Sequence, residues 1–431
     1  MRGRAGNQAV QAASSSILRG WEKVKTTDLS TGRSYFIIAL AFLCIKLFTW
    51  GVGYGFASTD GWQLDLGRWY QNYHLEPDTR MTDGKADFFR LWNYNDSEWY
   101  LSIARFGYPS GAQMIADRSA GNSFGFYSVA SNSGFRYVFL PLYPWIIRFF
   151  AAALGIWPGA FISTFFISAL SVFAFIYFAR QYFPGENSGV LWTFLLLFLF
   201  PFSIFFSLYY TEPLFFLLSL LVFAFLKGRR YLPMAIAGFL LALTRPNGFF
   251  IIVPVLLGLY LNREKRLWPY ALSLLIPMGY FSYMAFGYFK TGDWNLFNQA
   301  FTAWHYHSTD IAGNLARHLH SAMHFFSIPF HDYRDSKVEL ISALFFGIVI
   351  VLMWLDRKFP RELAAWSTLM WAMPIAVKDD FASFSRYMST LFPLFFFIGL
   401  KAGRLRYLLL AIFAVGYYFA LRAVIRYDWV G

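Results

Sequence analysis

Long apolar runs separated by short polar segments make up most of the chain. The runs are about 15–25 residues long, close to the about 20 residues that cross the hydrocarbon core of a bilayer. They begin shortly after a polar, basic segment, 1–33, and recur almost to the C-terminal end. We therefore predict an all-α polytopic membrane protein with one transmembrane domain, 34–427, and a cytoplasmic N-terminal segment.

The lysine and arginine clusters predict which side of the membrane each loop faces. Short basic loops face the cytoplasm. This rule leaves two long loops, 57–137 and 290–337, on the far side, and it gives about eleven spans within a range of about ten to thirteen. The predicted spans are approximately 35–56, 160–183, 189–208, 213–227, 231–244, 249–262, 267–289, 338–355, 361–377, 387–400 and 407–424.

The apolar segment 139–155 does not fit the pattern of an ordinary span. It contains Pro141, Pro144 and Arg148, which are unfavourable in a membrane-spanning helix. A full span here would also reverse every later loop and place the basic clusters outside. We predict an interfacial or re-entrant helix on the far side instead. A broken helix is a further possibility at the tight turn around Arg245.

Composition excludes two broad classes. Residues are 57% hydrophobic and only 14% charged, against about 25% charged in soluble domains, so a soluble protein is excluded. The net charge of +13 is explained by basic cytoplasmic loops, so no nucleic-acid partner is predicted. The one cysteine, Cys44, lies inside the first apolar run, which excludes a disulfide framework and a cysteine metal site.

Two acids, Asp96 and Glu98, lie among tryptophans and tyrosines in the stretch 92–108 of the first far-side loop. An aspartate in a partly dry setting can act as a general base, because desolvation changes its proton affinity. The alternative is a solvated loop acid, or a helix N-cap preceding an amphipathic helix.

The predicted topology brings further polar residues to the same side: Glu212, Arg245, Asn247, Arg386 and Tyr387. An arginine at membrane depth is costly unless it is paired or functional, and its planar group suits the oxygens of a phosphate. Snorkelling to the interface is the alternative for both arginines. Glu212 begins a helix, where a carboxylate complements the helix dipole, and this structural role is the alternative to substrate contact.

Histidines in the second far-side loop raise the question of a metal. His305 and His307 lie near Asp310, but residues two apart do not share a helix face. His320 and His324 would share a face in a helix, yet that stretch offers no acid to complete a site. We predict no metal and no other cofactor. We expect the histidines of this loop, His305 among them, to hydrogen-bond a sugar or phosphate or to pack at the interface, and we interpret His320 and His324 as residues of an interfacial helix.

Six short motifs, taken in order between about residue 90 and residue 400, resemble those of the PIG-V-type mannosyltransferases, which belong to the GT-C class of polytopic glycosyltransferases. The family commonly has tryptophan directly before the first motif's aspartate, where this chain has Asn95, and the Gly/Ser-rich insert 111–136 is also a departure, either a mobile lid or disordered. The motifs are Asp96-Ser97-Glu98-Trp99-Tyr100-Leu101-Ser102-Ile103-Ala104 with Gly107-Tyr108; Phe139-Leu140-Pro141-Leu142-Tyr143-Pro144 with Ile147-Arg148; Thr211-Glu212-Pro213-Leu214-Phe215; Leu243-Thr244-Arg245-Pro246-Asn247-Gly248; Gly292-Asp293-Trp294 with Trp304; and Ser385-Arg386-Tyr387 with Leu391-Phe392-Pro393-Leu394.

The resemblance implies a GT-C-like bundle and an inverting transfer of mannose, or a related sugar, from a polyprenyl- or dolichyl-phosphate donor. The acceptor is a hydroxyl of a glycan, glycolipid or protein on the extracytoplasmic face. Asp96 would be the general base, and Arg245 and Arg386 would bind the lipid phosphate. The protein is expected in a bacterial plasma membrane, or in the ER membrane of a eukaryote. Further substrate contacts are expected from Glu98, Glu212, Asn247, Tyr387 and His305.

Three other functions stay open. A transporter or flippase of a lipid-linked anion would share the helices and the arginines, but it usually shows internal repeats and polar residues near the bilayer midplane. A membrane acyl- or phosphotransferase would need a His-Asp motif or a metal-binding acid cluster. A scaffold without catalytic activity would need neither.

Overall fold

The regular secondary structure of the described residues is helical apart from one short strand pair, in which Met81–Thr82 and Lys85–Ala86 run antiparallel. The all-α prediction is therefore confirmed for this part of the chain. Most of the predicted N-terminal segment, and also His305 and His307, lie outside the described residues. The computed structural model describes residues 32–59, 81–82, 85–119, 132–301, 310–330, 336–428 and 430.

The helices are numbered here in chain order. They are α1 (Gly32–Thr59), α2 (Ser97–Phe106), α3 (Gly111–Ser119), α4 (Leu142–Leu154), α5 (Ile156–Tyr182), α6 (Asn187–Phe198), α7 (Glu212–Lys227), α8 (Tyr231–Ala242), α9 (Ile252–Leu261), α10 (Trp268–Ser273), α11 (Leu275–Thr291), α12 (Leu296–Phe301), α13 (Ile311–Met323), α14 (Lys337–Leu355), α15 (Arg361–Val377), α16 (Phe384–Ser389), α17 (Phe392–Lys401) and α18 (Leu405–Arg426). Single 3₁₀ turns or short 3₁₀ helices occur at Arg90–Trp92, Asn132–Val138, Pro201–Phe206 and Pro246–Ile251.

Five helical stretches among the described residues are long and apolar enough to cross a membrane. Each coincides with a predicted span, as expected of an integral membrane protein. They are Phe36–Thr59, Ile156–Tyr182, Trp268–Thr291, Lys337–Leu355 and Leu405–Arg426.

The other predicted spans are shorter helices. The predicted span 189–208 ends as an α-helix at Phe198 and continues as the 3₁₀ helix Pro201–Phe206. The predicted span 387–400 is divided between α16 and α17, and Pro393 stands in the first turn of α17. Proline removes a backbone donor and interrupts a helix, so hydropathy overestimated these lengths. The number of spans and the GT-C arrangement stay predictions.

The segment 139–155 contains the helix α4, which has 13 residues. At about 1.5 Å per residue it rises about 20 Å, less than the about 30 Å of a hydrocarbon core. Gly155, with φ of 81°, turns the chain directly into α5, and the two helices pack against each other. A Cβ atom at Gly159 would lie 2.6 Å from the Cα of Ala151, so only glycine permits this approach. The depth of α4 in a membrane stays a prediction.

Two parts of the insert 111–136 are helical. Its first nine residues form α3, and its last residues belong to the 3₁₀ helix Asn132–Val138. These parts are helical rather than disordered, which corrects one of the two alternatives for them. The middle of the insert lies outside the described residues.

The chain between the 3₁₀ helix Pro201–Phe206 and α7 is irregular and buried inside the bundle. Irregular backbone at membrane depth requires hydrogen-bond partners within the protein. Lys46, buried in α1, supplies two: its Nζ donates to the carbonyl of Phe206 at 2.7 Å and to Ser207 Oγ at 2.8 Å. The segment 207–211 is therefore fixed between α1 and the start of α7.

Candidate active site

Four charged side chains from separate parts of the chain form a continuous ionic chain in the order Asp96, Arg386, Glu212, Arg245. Arg386 Nη1 lies 3.4 Å from Asp96 Oδ2, and Arg386 Nε lies 2.9 Å from Glu212 Oε1. Arg245 Nη2 contacts the same oxygen of Glu212. These four residues were all predicted for the site, and the structure brings them together.

Glu212 is the centre of this ionic chain. Its side chain has no exposed surface, so its charge is balanced by protein groups rather than by water. It is the first residue of α7, where the helix dipole also favours an anion. Glu212 therefore has the structural role expected at a helix start, and it also contacts both arginines. Burying three charges is favourable only when each is paired, and here one acid serves two guanidinium groups.

Asp96 is the most exposed member of the ionic chain. Its side chain is 23% exposed, against 9% for Arg386 and none for Glu212. Asp96 occupies the N-cap position of α2, yet its side chain makes no capping hydrogen bond, because it faces Arg386. Its backbone N–H donates to the hydroxyl oxygen of Tyr210 at 3.0 Å. Asp96 is therefore the acid of this group that is accessible from outside the protein.

A residue in the left-handed backbone region precedes each member of the Asp96–Arg386 pair in the chain. Asn95, directly before Asp96, has φ of 40°, and Ser383, which precedes the helix of Arg386, has φ of 64°. Such conformations are unfavourable for most residues and often occur at functional sites. Asparagine tolerates this region better than tryptophan does, which gives a local reason for Asn95.

Aromatic rings surround the guanidinium group of Arg386. Its Cζ lies 5.0 Å from the ring centre of Tyr210, 5.1 Å from that of Phe205 and 5.5 Å from that of Tyr387. Ring faces attract cations and exclude water. Two acids and three aromatic rings thus hold the guanidinium group of Arg386 in a fixed position.

Ser385, the residue before Arg386, is held in place by a further acid, Glu339. The backbone N–H of Ser385 donates to Glu339 Oε2 at 2.6 Å, and the Ser385 hydroxyl donates to the same oxygen. Glu339 is buried in the first turn of α14. Sequence reasoning missed Glu339, although an acid at the start of an otherwise apolar run is a recognisable signal.

Arg245 lies in an extended connection between α8 and the 3₁₀ helix Pro246–Ile251. The broken helix considered for this turn is therefore present. Arg245 Nε donates to Thr211 Oγ1 at 2.6 Å, and the hydroxyl of Tyr100 lies 3.4 Å from the same oxygen. Burial raises the pKa of Tyr100, and burial also raises that of Tyr210 well above its ordinary value. Both tyrosines therefore remain neutral phenols beside the ions.

The remaining residues predicted for the site lie at different places relative to the ionic chain. The ring of Tyr387 lies near both arginines, 5.5 Å from Arg386 Cζ and 5.9 Å from Arg245 Cζ. Asn247 follows Arg245 closely, and its buried Oδ1 has no hydrogen-bond partner among the residues that the structure describes. Glu98 accepts a hydrogen bond from Asn93 Nδ2 at 3.3 Å. His305 lies outside the described residues.

Within the described part of the chain, no group of three or more histidine, cysteine, aspartate or glutamate residues could hold a metal ion. The rings of His320 and His324 stack with centres 4.0 Å apart at the end of α13, so the predicted shared face exists. That the protein needs no metal or other cofactor stays a prediction.

The chain has no match among protein-family models, and the curated proteins contain no match to it. The similarity of its motifs to PIG-V-type mannosyltransferases therefore stays a prediction.

Proposed function

We propose that the protein is an inverting glycosyltransferase that moves mannose, or a related sugar, from a polyprenyl- or dolichyl-phosphate donor to an acceptor hydroxyl. The observation that carries this proposal is the position of Asp96, a partly exposed acid at the end of a buried ionic chain. A charged cluster buried at this cost needs a purpose, because apolar packing would give similar stability. Asp96 is where the cluster can meet a substrate.

In the proposed reaction, the acceptor oxygen attacks C1 of the sugar. The bond between C1 and the phosphate oxygen breaks, and its electron pair leaves with the lipid phosphate. The hydroxyl proton goes to a carboxylate oxygen of Asp96. General-base catalysis of this kind contributes about 10²–10⁴-fold to a rate, and it requires the base to be ionised and within hydrogen-bond reach of the hydroxyl.

Arg386 links the base to the leaving group. Its contact with Asp96 is 3.4 Å, longer than its 2.9 Å contact with Glu212. A donor phosphate offers oxygens to the same guanidinium group and would compete first with the longer contact. Arg386 would then neutralise the charge that develops on the phosphate, while Asp96 becomes available to the acceptor. Arg245, on the other side of Glu212, would supply a second cation.

The proposal is tested with the full-length protein in nanodiscs, a panel of polyprenyl-phosphate sugars, and an extract of membrane lipids and glycans as the acceptor pool. We expect sugar transfer from at least one donor and a loss of about 10²–10⁴-fold in Asp96→Asn, the range of a general base. The control is Glu264→Gln in the loop after α9, which should keep full activity. Near-normal turnover in Asp96→Asn would remove the base role.

One observation favours a second candidate, a flippase or transporter of a lipid-linked anion. The extended backbone at Arg245 interrupts two apolar helices, and transporters use such interruptions to bind charged groups. Proteoliposomes separate the two functions. Movement of an intact lipid-linked sugar across the bilayer supports transport, whereas appearance of the sugar on a new acceptor supports transfer.

A further inference from the structure

The helix α13 presents three different faces, and only one of them packs against the protein. Asn314 and His318 are buried, although they are polar. Asn314 Nδ2 donates to the carbonyl of Ala376 at 2.8 Å, and His318 Nε2 lies 3.1 Å from the carbonyl of Lys378. This face joins α13 to the end of α15, which is the end of a helix of the bundle.

The second face is apolar and exposed. Ile311, Leu315, Leu319 and Met323 recur every four residues, and between 49% and 68% of each is exposed. At about 100° per residue, they lie within a sector of about 120° on one side of the helix. In α13, therefore, polar side chains are buried and large apolar ones are exposed, the reverse of a helix on the surface of a soluble protein.

The third face is polar and also exposed. Arg317, His320 and His324 lie between about 120° and about 180° around the helix from the centre of the apolar face. Arg317 Nη2 pairs with Asp310 Oδ2 at 3.1 Å on this side. A helix with one face to the protein, one apolar face and one charged face opposite it has the pattern of a helix at a lipid–water boundary.

The exposed apolar face is continued along the chain. Phe326 is 90% exposed and Phe330 is 70% exposed, and α14, a helix of membrane-spanning length, follows them. Ile341, Leu344 and Ile348 on α14 are also exposed. Exposed apolar side chains on a membrane-spanning helix contact lipid. Such side chains therefore occur in succession on α13, at Phe326 and Phe330, and on α14.

We propose that α13 lies in the plane of the membrane at its surface, with Ile311, Leu315, Leu319 and Met323 inserted among phospholipid acyl chains and Arg317, His320 and His324 in water. The occupant of the apolar face is lipid, because the adjoining exposed surface belongs to a candidate span and because a polar row faces the other way. This proposal does not depend on glycosyl transfer.

Neighbouring cysteine variants test the proposal. Cys44 is the one cysteine in the chain and is replaced by alanine, after which Leu319→Cys and His320→Cys are made separately. Each receives a nitroxide label in the full-length protein in phospholipid nanodiscs. Collisions with oxygen, which concentrates in lipid, should dominate at position 319. Collisions with a water-soluble nickel complex should dominate at position 320.

Leu344→Cys on α14 gives the reference for a lipid-facing position, and Leu315→Cys repeats the test if the first variant does not fold. Equal exposure of positions 319 and 320 to the nickel complex would overturn the proposal. Shielding of position 319 from both reagents would also overturn it, because a protein surface, such as a second copy of the chain, would then cover the face.

Discussion

Two ionic clusters, at Glu264 and at Glu212, differ in the distance along the chain between their members and in the burial of their cations. Arg266 approaches Glu264 through Nε and Nη2, both at 2.8 Å, and Tyr231 donates to the same carboxylate at 2.6 Å. This geometry is better than the 3.4 Å contact between Asp96 and Arg386. Yet Glu264 and Arg266 are two residues apart, and Arg266 is about half exposed.

The Glu212 cluster, in contrast, gathers residues from distant parts of the chain into a buried place. The Glu264 side chain is 7% exposed, but Arg266 is about half exposed, so water still solvates this cation when its partner is removed. Buried partners depend on one another, and removal of one leaves an uncompensated charge. Burial of the cations and distance along the chain, rather than hydrogen-bond geometry, therefore distinguish the Glu212 cluster from the Glu264 cluster.

Among the variants that test this comparison, Glu212→Ala should have the largest effect on stability. The change leaves Arg245 and Arg386 buried without their shared acid, which should lower the free energy of unfolding by about 3–5 kcal/mol. Thermal unfolding in detergent measures the loss. Glu264→Ala is the matched control and should show a smaller loss, because Arg266 is about half exposed and stays solvated, so equal losses in the two variants would refute the distinction.

Arg386→Lys should have the next largest effect. Lysine keeps the charge but loses the planar fork that reaches both Asp96 and Glu212. Loss of one charged hydrogen bond, about 1.5–3 kcal/mol, corresponds to about a 10- to 100-fold fall in donor use. Initial rates at several donor concentrations measure it, with Arg266→Lys as the control. Unchanged kinetics in Arg386→Lys would show that the fork does not contact the donor.

Glu339→Gln and Glu339→Leu test the support behind Arg386. Glutamine keeps an acceptor for Ser385, so it should cost little stability, whereas leucine leaves a buried N–H unsatisfied at about 1–3 kcal/mol. Unfolding temperatures and transfer rates are measured for both variants. If glutamine and leucine lower the rate equally, the charge of Glu339 matters rather than its hydrogen bond.

The smallest effect is expected from the pH dependence of the Glu264 pair. Hydrogen bonds from Arg266, followed by those from Tyr231, lower the pKa of Glu264 below its usual 4.5. A carboxyl with a lowered pKa contributes its full stability above the unfolded pKa and loses it as the pH falls towards the folded one. The difference in unfolding temperature between the unaltered protein and Glu264→Gln should therefore stay constant from pH 8 to about pH 5. The difference should shrink as the pH falls below about 4.5. No change there, or a rise as the pH falls from 8 to 5, would contradict the lowered pKa.

The sequence predicted the place of most helices and the members of the ionic chain, because hydropathy and loop charge assign each residue to a side of the membrane. It did not predict that Glu212 would lie between both arginines, since these rules say nothing of lateral neighbours. Lys46 was missed for a related reason. It stands inside an apolar run, and its partners, the carbonyl of Phe206 and the hydroxyl of Ser207, belong to a break in a helix that hydropathy does not reveal.

The ionic chain also has a consequence for the synthesis of the protein. Glu212 begins α7 and Arg245 follows the end of α8, and these two helices pack together, so the two residues can pair soon after both leave the ribosome. Asp96 is made earlier but meets its arginine only when Arg386 emerges, near the C-terminal end. Until then, an incomplete chain carries an acid without its cation. The site therefore closes late in translation, and its closure marks a chain that has been made almost to its end.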